Sequence, residues 1–225
     1  VSNTETETHM KIAKFTIPLL GCIAALASTG CAPILAGGAM AGGVSVAVDR
    51  RSTGAQVNDG MIENRVSWEI SQKIVPEDQH ITVTSYNGKV LLTGEVKTEL
   101  EKKTAGEVAS KSLDVSSVVN QLAVQEPVSV GRRMKDSGIA TSVRSRLLTA
   151  QGAPYSQMKI ICDRGIVYLM GLVTPTEGQI AGEIAAKTDG VKEVVKVFEY
   201  QSAAEIKARM DSFQKAPNTD STSTN

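Results

Sequence analysis

The sequence predicts an α+β protein made of two tandem copies of one unit. Each unit is an α-β-β-α-β run giving a three-stranded mixed sheet with two helices on it. Three observations predict this. The stretch Asn87 to Val96, NGKVLLTGEV, returns from Arg164 to Val173 as RGIVYLMGLV, with an identical Gly-x-Val-x-Leu-x-Gly-x-Val frame at a shift of 77 residues. Upstream, Asp59, Ile62, Val66 and Ile70 correspond to Asp136, Ile139, Val143 and Leu147 at the same shift, and downstream Ala105 to Lys111 matches Ala181 to Lys187 at a shift of 76. Helical and strand periods alternate in the same order in both copies, the mark of a duplicated supersecondary unit. Each copy is roughly 65 residues, near the lower limit for an independent core, so packing of one copy on the other is expected.

In order along the chain, Met10 reads as a start ahead of an export signal over residues 10–30. Lys11 and Lys14 precede an apolar run from Phe15 to Ala27, and Ser28-Thr29-Gly30-Cys31 follows. This resembles a bacterial lipoprotein signal, in which the cysteine after glycine is acylated. Leu19-Leu20-Gly21-Cys22 has a similar local pattern but leaves an apolar run of only seven residues, so Cys31 is the expected lipidation site. Residues 31–57 read as a linker, uncharged as far as Asp49, and its Ala36 to Gly43 stretch is too glycine-rich for a stable membrane helix.

The first copy spans 58–126. Asn58 or Asp59 is expected to cap a helix with the apolar stripe Ile62, Val66, Ile70 and Ile74, stopped by Pro76. Ile81 to Tyr86 alternates as a strand, and Asn87-Gly88 supplies a tight hairpin. The inner Gly94 predicts a bulge or a helix packed close over the sheet. A helix over Glu99 to Ser112 leads to a third strand, Val118 to Val124, parallel to the second by the right-handed crossover rule. The second copy spans 133–201, with a helix from Lys135 to Thr149, strands Met158 to Asp163 and Ile166 to Val173, a helix from Thr176 to Lys187 and a strand Val191 to Tyr200. Residues 202–225 read as a flexible tail in which Ala203 to Phe213 has the makings of a short helix.

The two hairpin-bearing units resemble BON domains. Further carriers are the signal, Asp49-Arg50-Arg51-Ser52, Gly54-x-Gln56-x-x-Asp59-Gly60, Val143-Arg144-Ser145-x-Leu147-Leu148-Thr149 and Gly190-Val191-Lys192. Together they make the chain from Met10 to Tyr200 similar to the dual-BON-domain outer-membrane lipoproteins, a family of division- and outer-membrane-stress-associated lipid-binding proteins. The resemblance implies a non-enzymatic protein held in the outer membrane by acyl chains such as palmitate on Cys31, facing the periplasm. It implies that the second BON domain binds an anionic phospholipid such as phosphatidylglycerol, in support of envelope integrity and cell division. It also implies an aromatic membrane wedge in the first helix of the second copy, where this chain has Gly138.

Catalytic and metal chemistry have little to draw on. Of two histidines, His9 precedes Met10 and His80 reads as a surface residue before a strand. No phosphate loop, nucleophile elbow or spaced carboxylate pair occurs, so no enzyme, cofactor or metal site is expected. Cys162 shares an alternating face with Met158 and Ile160 and reads as a small buried residue. The net charge of zero gives no reason to expect a nucleic-acid partner. The copies differ most in their first helix. Asp59, Glu63, Arg65, Glu69 and Lys73 nearly balance, whereas Arg132, Arg133, Lys135, Asp136, Arg144 and Arg146 leave a positive excess. The expected phospholipid-binding residues are Arg132, Arg133, Lys135, Gly138, Arg144, Arg146 and Leu148, the last lying off the core stripe. Trp68, on the first helix of the first copy, is a candidate substitute for the aromatic wedge, although a partly buried packing role is the favoured reading. The alternative role is a protein-interaction module that contacts an envelope assembly or a cell-wall amidase activator.

Overall fold

The computed structural model describes residues 49–75 and 79–215. The export signal, Cys31, most of the linker, Pro76 and residues 216–225 lie outside the described residues. The elements in order are α1 (Thr53–Ser71), β1 (His80–Tyr86), β2 (Lys89–Val96), α2 (Glu99–Lys111), β3 (Ser117–Asn120), β4 (Ala123–Val124), α3 (Val130–Thr149), β5 (Met158–Asp163), β6 (Ile166–Val173), α4 (Pro175–Ala186), β7 (Glu193–Tyr200) and α5 (Ala203–Lys215). In each copy the hairpin strands are antiparallel and the strand after the second helix runs parallel to the hairpin's second strand.

The first helix of each copy starts earlier than its sequence pattern predicts. Ser52 and Ser129 are the caps, their Oγ atoms accepting from Ala55 N and Arg132 N. Asp59 is therefore no cap but a buried residue inside α1. The helix ends at Ser71, yet Ile74 is still buried with Ile62, Val66 and Ile70. The third strand of the first copy is broken. Asn120 donates Nδ2 to the Lys102 carbonyl and accepts Leu122 N on Oδ1, and the strand is interrupted over Gln121 and Leu122, although Gln121 N still donates to the Leu92 carbonyl of β2. Both pieces pair with β2, and this sheet counts four strands rather than three.

Both β2 and β6 are buried on two faces. Val90, Leu92 and Val96 pack against α1 and α2, and Val167, Leu169 and Val173 pack against α3 and α4. The remaining faces meet in a third cluster, where Tyr86 and Leu91 join Tyr168, Met170, Leu172 and Val197. Ile206 of α5 is part of that cluster, so residues 203–215 are a packed helix and not a flexible tail. The two copies thus share one compact unit.

Gly94 marks neither a bulge nor a close helix. The register runs unbroken with Gly94 opposite Ile81. Its φ is +111°, and a Cβ built there would stand 1.8 Å from the His80 carbonyl oxygen. The close neighbour is the backbone entering β1.

Candidate functional site

On α3 the residues Asp136, Ile139, Val143 and Leu147 are buried, so the opposite side of the helix faces solvent. Gly138 lies on that side, with nothing within 4 Å of a built Cβ. Lys135, Arg144, Arg146 and Leu148 are exposed around it. Met134 (69% exposed), Thr141 and Leu148 (55% exposed) recur at seven-residue intervals and so line one strip of the helix. Arg144 borders that strip on one side, and Lys135 and Arg146 border the exposed surface on the other. The only acid in α3, Asp136, is buried. The outward surface is therefore cationic with an apolar seam.

The predicted cations do not all share this surface. Arg132 and Arg133 are half-buried. Arg132 Nε lies 3.7 Å from Asp136 Oδ2, and Arg133 Nη1 donates to the Val128 carbonyl at 2.9 Å. Arg146 Nη1 donates to the Lys187 carbonyl at 3.1 Å, which leaves its charge uncompensated. Lys135 and Arg144 make no hydrogen bond or ion pair among the described residues. Met134 is absent from the predicted set, although its seven-residue spacing from Thr141 and Leu148 is visible in the sequence.

The duplicated aspartates lock each first helix to its hairpin. Asp59 accepts from Ser85 Oγ, Asn87 N, Gly88 N and Arg51 Nη1 at 2.7–2.9 Å. Burial opposes its ionisation, but the hydrogen bonds from Gly88, Ser85, Asn87 and Arg51 outweigh that and hold the carboxyl below its ordinary range. Asp136 repeats the arrangement with Arg164 N and Gly165 N at 2.9 Å and Cys162 Sγ at 3.6 Å. Cys162 is thus the counterpart of Ser85, half-buried rather than fully so. Burial and the neighbouring Asp136 push its thiol up to about 12, the opposite of a reactive cysteine.

Asp49 to Ser52 fasten the end of the linker to both copies. Arg51 donates to Asp59 and Asp49, and its guanidinium lies 4.1 Å over the Tyr86 ring. Arg50 turns the other way, donating its guanidinium to both Glu177 oxygens at 2.8 Å and to the Leu172 carbonyl at 3.0 Å, and its amide to Gln157 Oε1 at 2.7 Å. Burial opposes ionisation of Glu177, and the bonds from Arg50 and Thr174 more than offset it, lowering its pKa.

His80 is not a plain surface residue. Its Nδ1 lies 3.8 Å from the fully buried Glu95 carboxylate, which also has Arg164 Nε at 3.8 Å and accepts Val128 N at 3.5 Å. Among the described residues no group of three His, Cys, Asp or Glu is placed to hold a metal ion, and no helix is long and apolar enough to cross a membrane. Trp68, predicted to be partly buried, is 63% exposed on α1.

A family model described as BON domain matches residues 58–126 and 135–202. The outer membrane lipoprotein DolP of Haemophilus influenzae is 36% identical over 186 residues, covering 82% of this chain and 91% of that protein. The 21 kDa hemolysin of Actinobacillus pleuropneumoniae is 35% identical over 154 residues, covering 68% of this chain and 79% of that protein. Among solved structures, CdsD, a structural protein of the type III secretion system of Chlamydia trachomatis, aligns with 72% of this chain and 99% of its own at 13% identity, with a TM-score of 0.29 that is too low to bear on function.

Proposed function

Because the chain belongs to the BON domain family, with both of its BON domains in one compact unit, we propose that it is a non-enzymatic, lipid-anchored envelope protein that binds anionic phospholipid through α3 of the second domain. Likeness to an outer membrane lipoprotein over most of the chain supports the outer-membrane localisation. Acylation at Cys31, a periplasmic orientation and a role in envelope integrity and cell division complete the proposal.

The observation that carries it is the outward face of α3, with Lys135, Arg144 and Arg146 exposed, no exposed acid, and the Met134–Leu148 seam between the cations. A basic residue held near an anionic membrane contributes about 1 kcal/mol, while apolar side chains of a surface-lying helix dip below the headgroups. The fragment from Asp49 onward, titrated with phosphatidylglycerol micelles and followed by NMR, is expected to shift resonances from Met134 to Thr149. Absent shifts, or shifts confined elsewhere, reject the reading. Arg144→Glu combined with Arg146→Glu should weaken binding by at least ~10-fold, and raised salt should do the same in the unaltered protein.

A further inference from the structure

We propose that α1 carries a second membrane-contacting surface, in which Trp68 enters the interfacial layer of the phospholipid bilayer that holds the chain's own anchor. The proposal shares the membrane localisation above but does not depend on α3.

Val57, Met61 and Trp68 follow at intervals of four and seven residues and so share one strip of α1, opposite the buried Ile62, Val66 and Ile70. They are 57%, 50% and 63% exposed. Nothing in the fold asks for them. Both domains bury equivalent core stripes, yet the second domain has Gly138 and Ser145 where the first has Met61 and Trp68. Trp68 borders an open hollow of about 410 Å³, shared with Glu69, Gln72, Lys73, Val108 and Lys111. Two of these are cations and one is an acid, a balance that complements an anionic surface. Arg65 Nη1 holds the Leu113 carbonyl at 2.8 Å, which brings a further exposed apolar residue beside α1.

The small area of the patch selects the occupant. A stable protein interface needs ~800 Å² from each partner, which a strip of three side chains does not supply. A bilayer already tethered to the chain needs far less. The 22 residues from Cys31 to Thr53 extend to at most ~75 Å, so α1 samples the membrane at high effective concentration and modest apolar contact suffices. The indole ring, apolar with one polar edge, suits the headgroup boundary.

Trp68 is the only tryptophan in the chain, so intrinsic fluorescence reports this surface alone. The full-length acylated protein is reconstituted in vesicles of phosphatidylethanolamine and phosphatidylglycerol, with and without lipid brominated near the top of the acyl chain. The expected result is a blue-shifted emission that loses most of its intensity to the brominated lipid. Met61→Glu and Val57→Glu, both at exposed positions, are expected to abolish the quenching with unchanged circular dichroism. Arg144→Glu with Arg146→Glu is expected to leave it intact. An unquenched Trp68 overturns the proposal, as does quenching that survives both α1 substitutions. So does quenching lost only in the α3 pair, since Trp68 is then carried passively by α3. Emission that shifts only when other envelope proteins are present overturns it in favour of a protein partner. The phosphatidylglycerol titration of α3 reads out separately, so either surface can fail without the other.

Discussion

Gly94 and Gly138 both sit inside regular elements, yet alanine at the two positions is expected to act in opposite directions. At Gly94 a Cβ would meet the His80 carbonyl at 1.8 Å, and φ is +111°, so Gly94→Ala should cost more than ~4 kcal/mol. At Gly138 a Cβ meets open solvent, and Gly138→Ala should raise stability by about 0.5–1 kcal/mol through helix propensity. Urea midpoints of the two variants check both signs. Buried carboxylates show a similar split with pH. Asp59 has a folded pKa below its ordinary value of 3.8, so its contribution to stability is present above that value and lost as pH falls through the folded one. The penalty of Asp59→Asn should therefore shrink between pH 6 and pH 2. Glu95 behaves oppositely. Burial and Asp163 raise its pKa against the pull of Val128 N, Arg164 and His80, so the wild type loses stability as pH rises from its ordinary value of 4.5 through the folded one. Glu95→Gln should gain relative to wild type over that rise. The sequence shows that Asp59 and Asp136 are a repeated pair but misplaces their role. Helix-cap preference is local, whereas the amides that Asp59 binds lie 28 and 29 residues further on.

At the scale of elements, helical stripes and hairpins were legible because period and turn chemistry are local signals. The break between β3 and β4 was not, because it accompanies a bond from Asn120 to Lys102 in the first turn of α2, 18 residues back in the chain. The docking of α5 was missed for the same reason. Residues 203–215 look polar and short, and only their neighbour, the inward face of the second sheet, gives Ile206 and Met210 something to cover. Ile206→Ala is expected to cost about 2–4 kcal/mol, the range for a buried large-to-small change, and truncation after Ser202 at least as much. Thermal unfolding of both variants checks this; an unchanged midpoint would mean that α5 only rests on the surface. The candidate site divides along the same line. The basic excess of α3 was readable as composition, but the diversion of Arg132 and Arg133 into structural contacts was not. On α1 the sequence pointed to Trp68, but not to the exposed Val57 and Met61 that share its strip.

For the whole molecule the question is what makes two marginal domains behave as one. Tyr86, Leu91, Tyr168, Met170 and Leu172 bury one another across the domain boundary, so neither domain alone covers its inward sheet face. The clasp adds a polar connection at the seam. Arg50 holds Glu177 and Leu172 of the second domain while the adjacent Arg51 holds Asp59 and Tyr86 of the first. The Asp-Arg-Arg-Ser motif is plain in the sequence, but its partner Glu177 lies 127 residues away and no local pattern points to it. Residues Asp49 to Ser52 accordingly lie at the seam between the domains, not at one end. This arrangement predicts a single unfolding transition. Trp68 fluorescence, which senses the first domain, should coincide with circular dichroism, which senses both. Arg50→Ala should shift both curves together by ~2 kcal/mol, since a largely buried bidentate pair loses one partner and leaves Glu177 uncompensated. Combined with Glu177→Ala, the loss should be clearly less than the sum of the single losses, because the two side chains share the same bonds. Curves that separate in the wild type, or additive losses in the double variant, would mean that the domains fold independently and that the clasp only decorates their boundary.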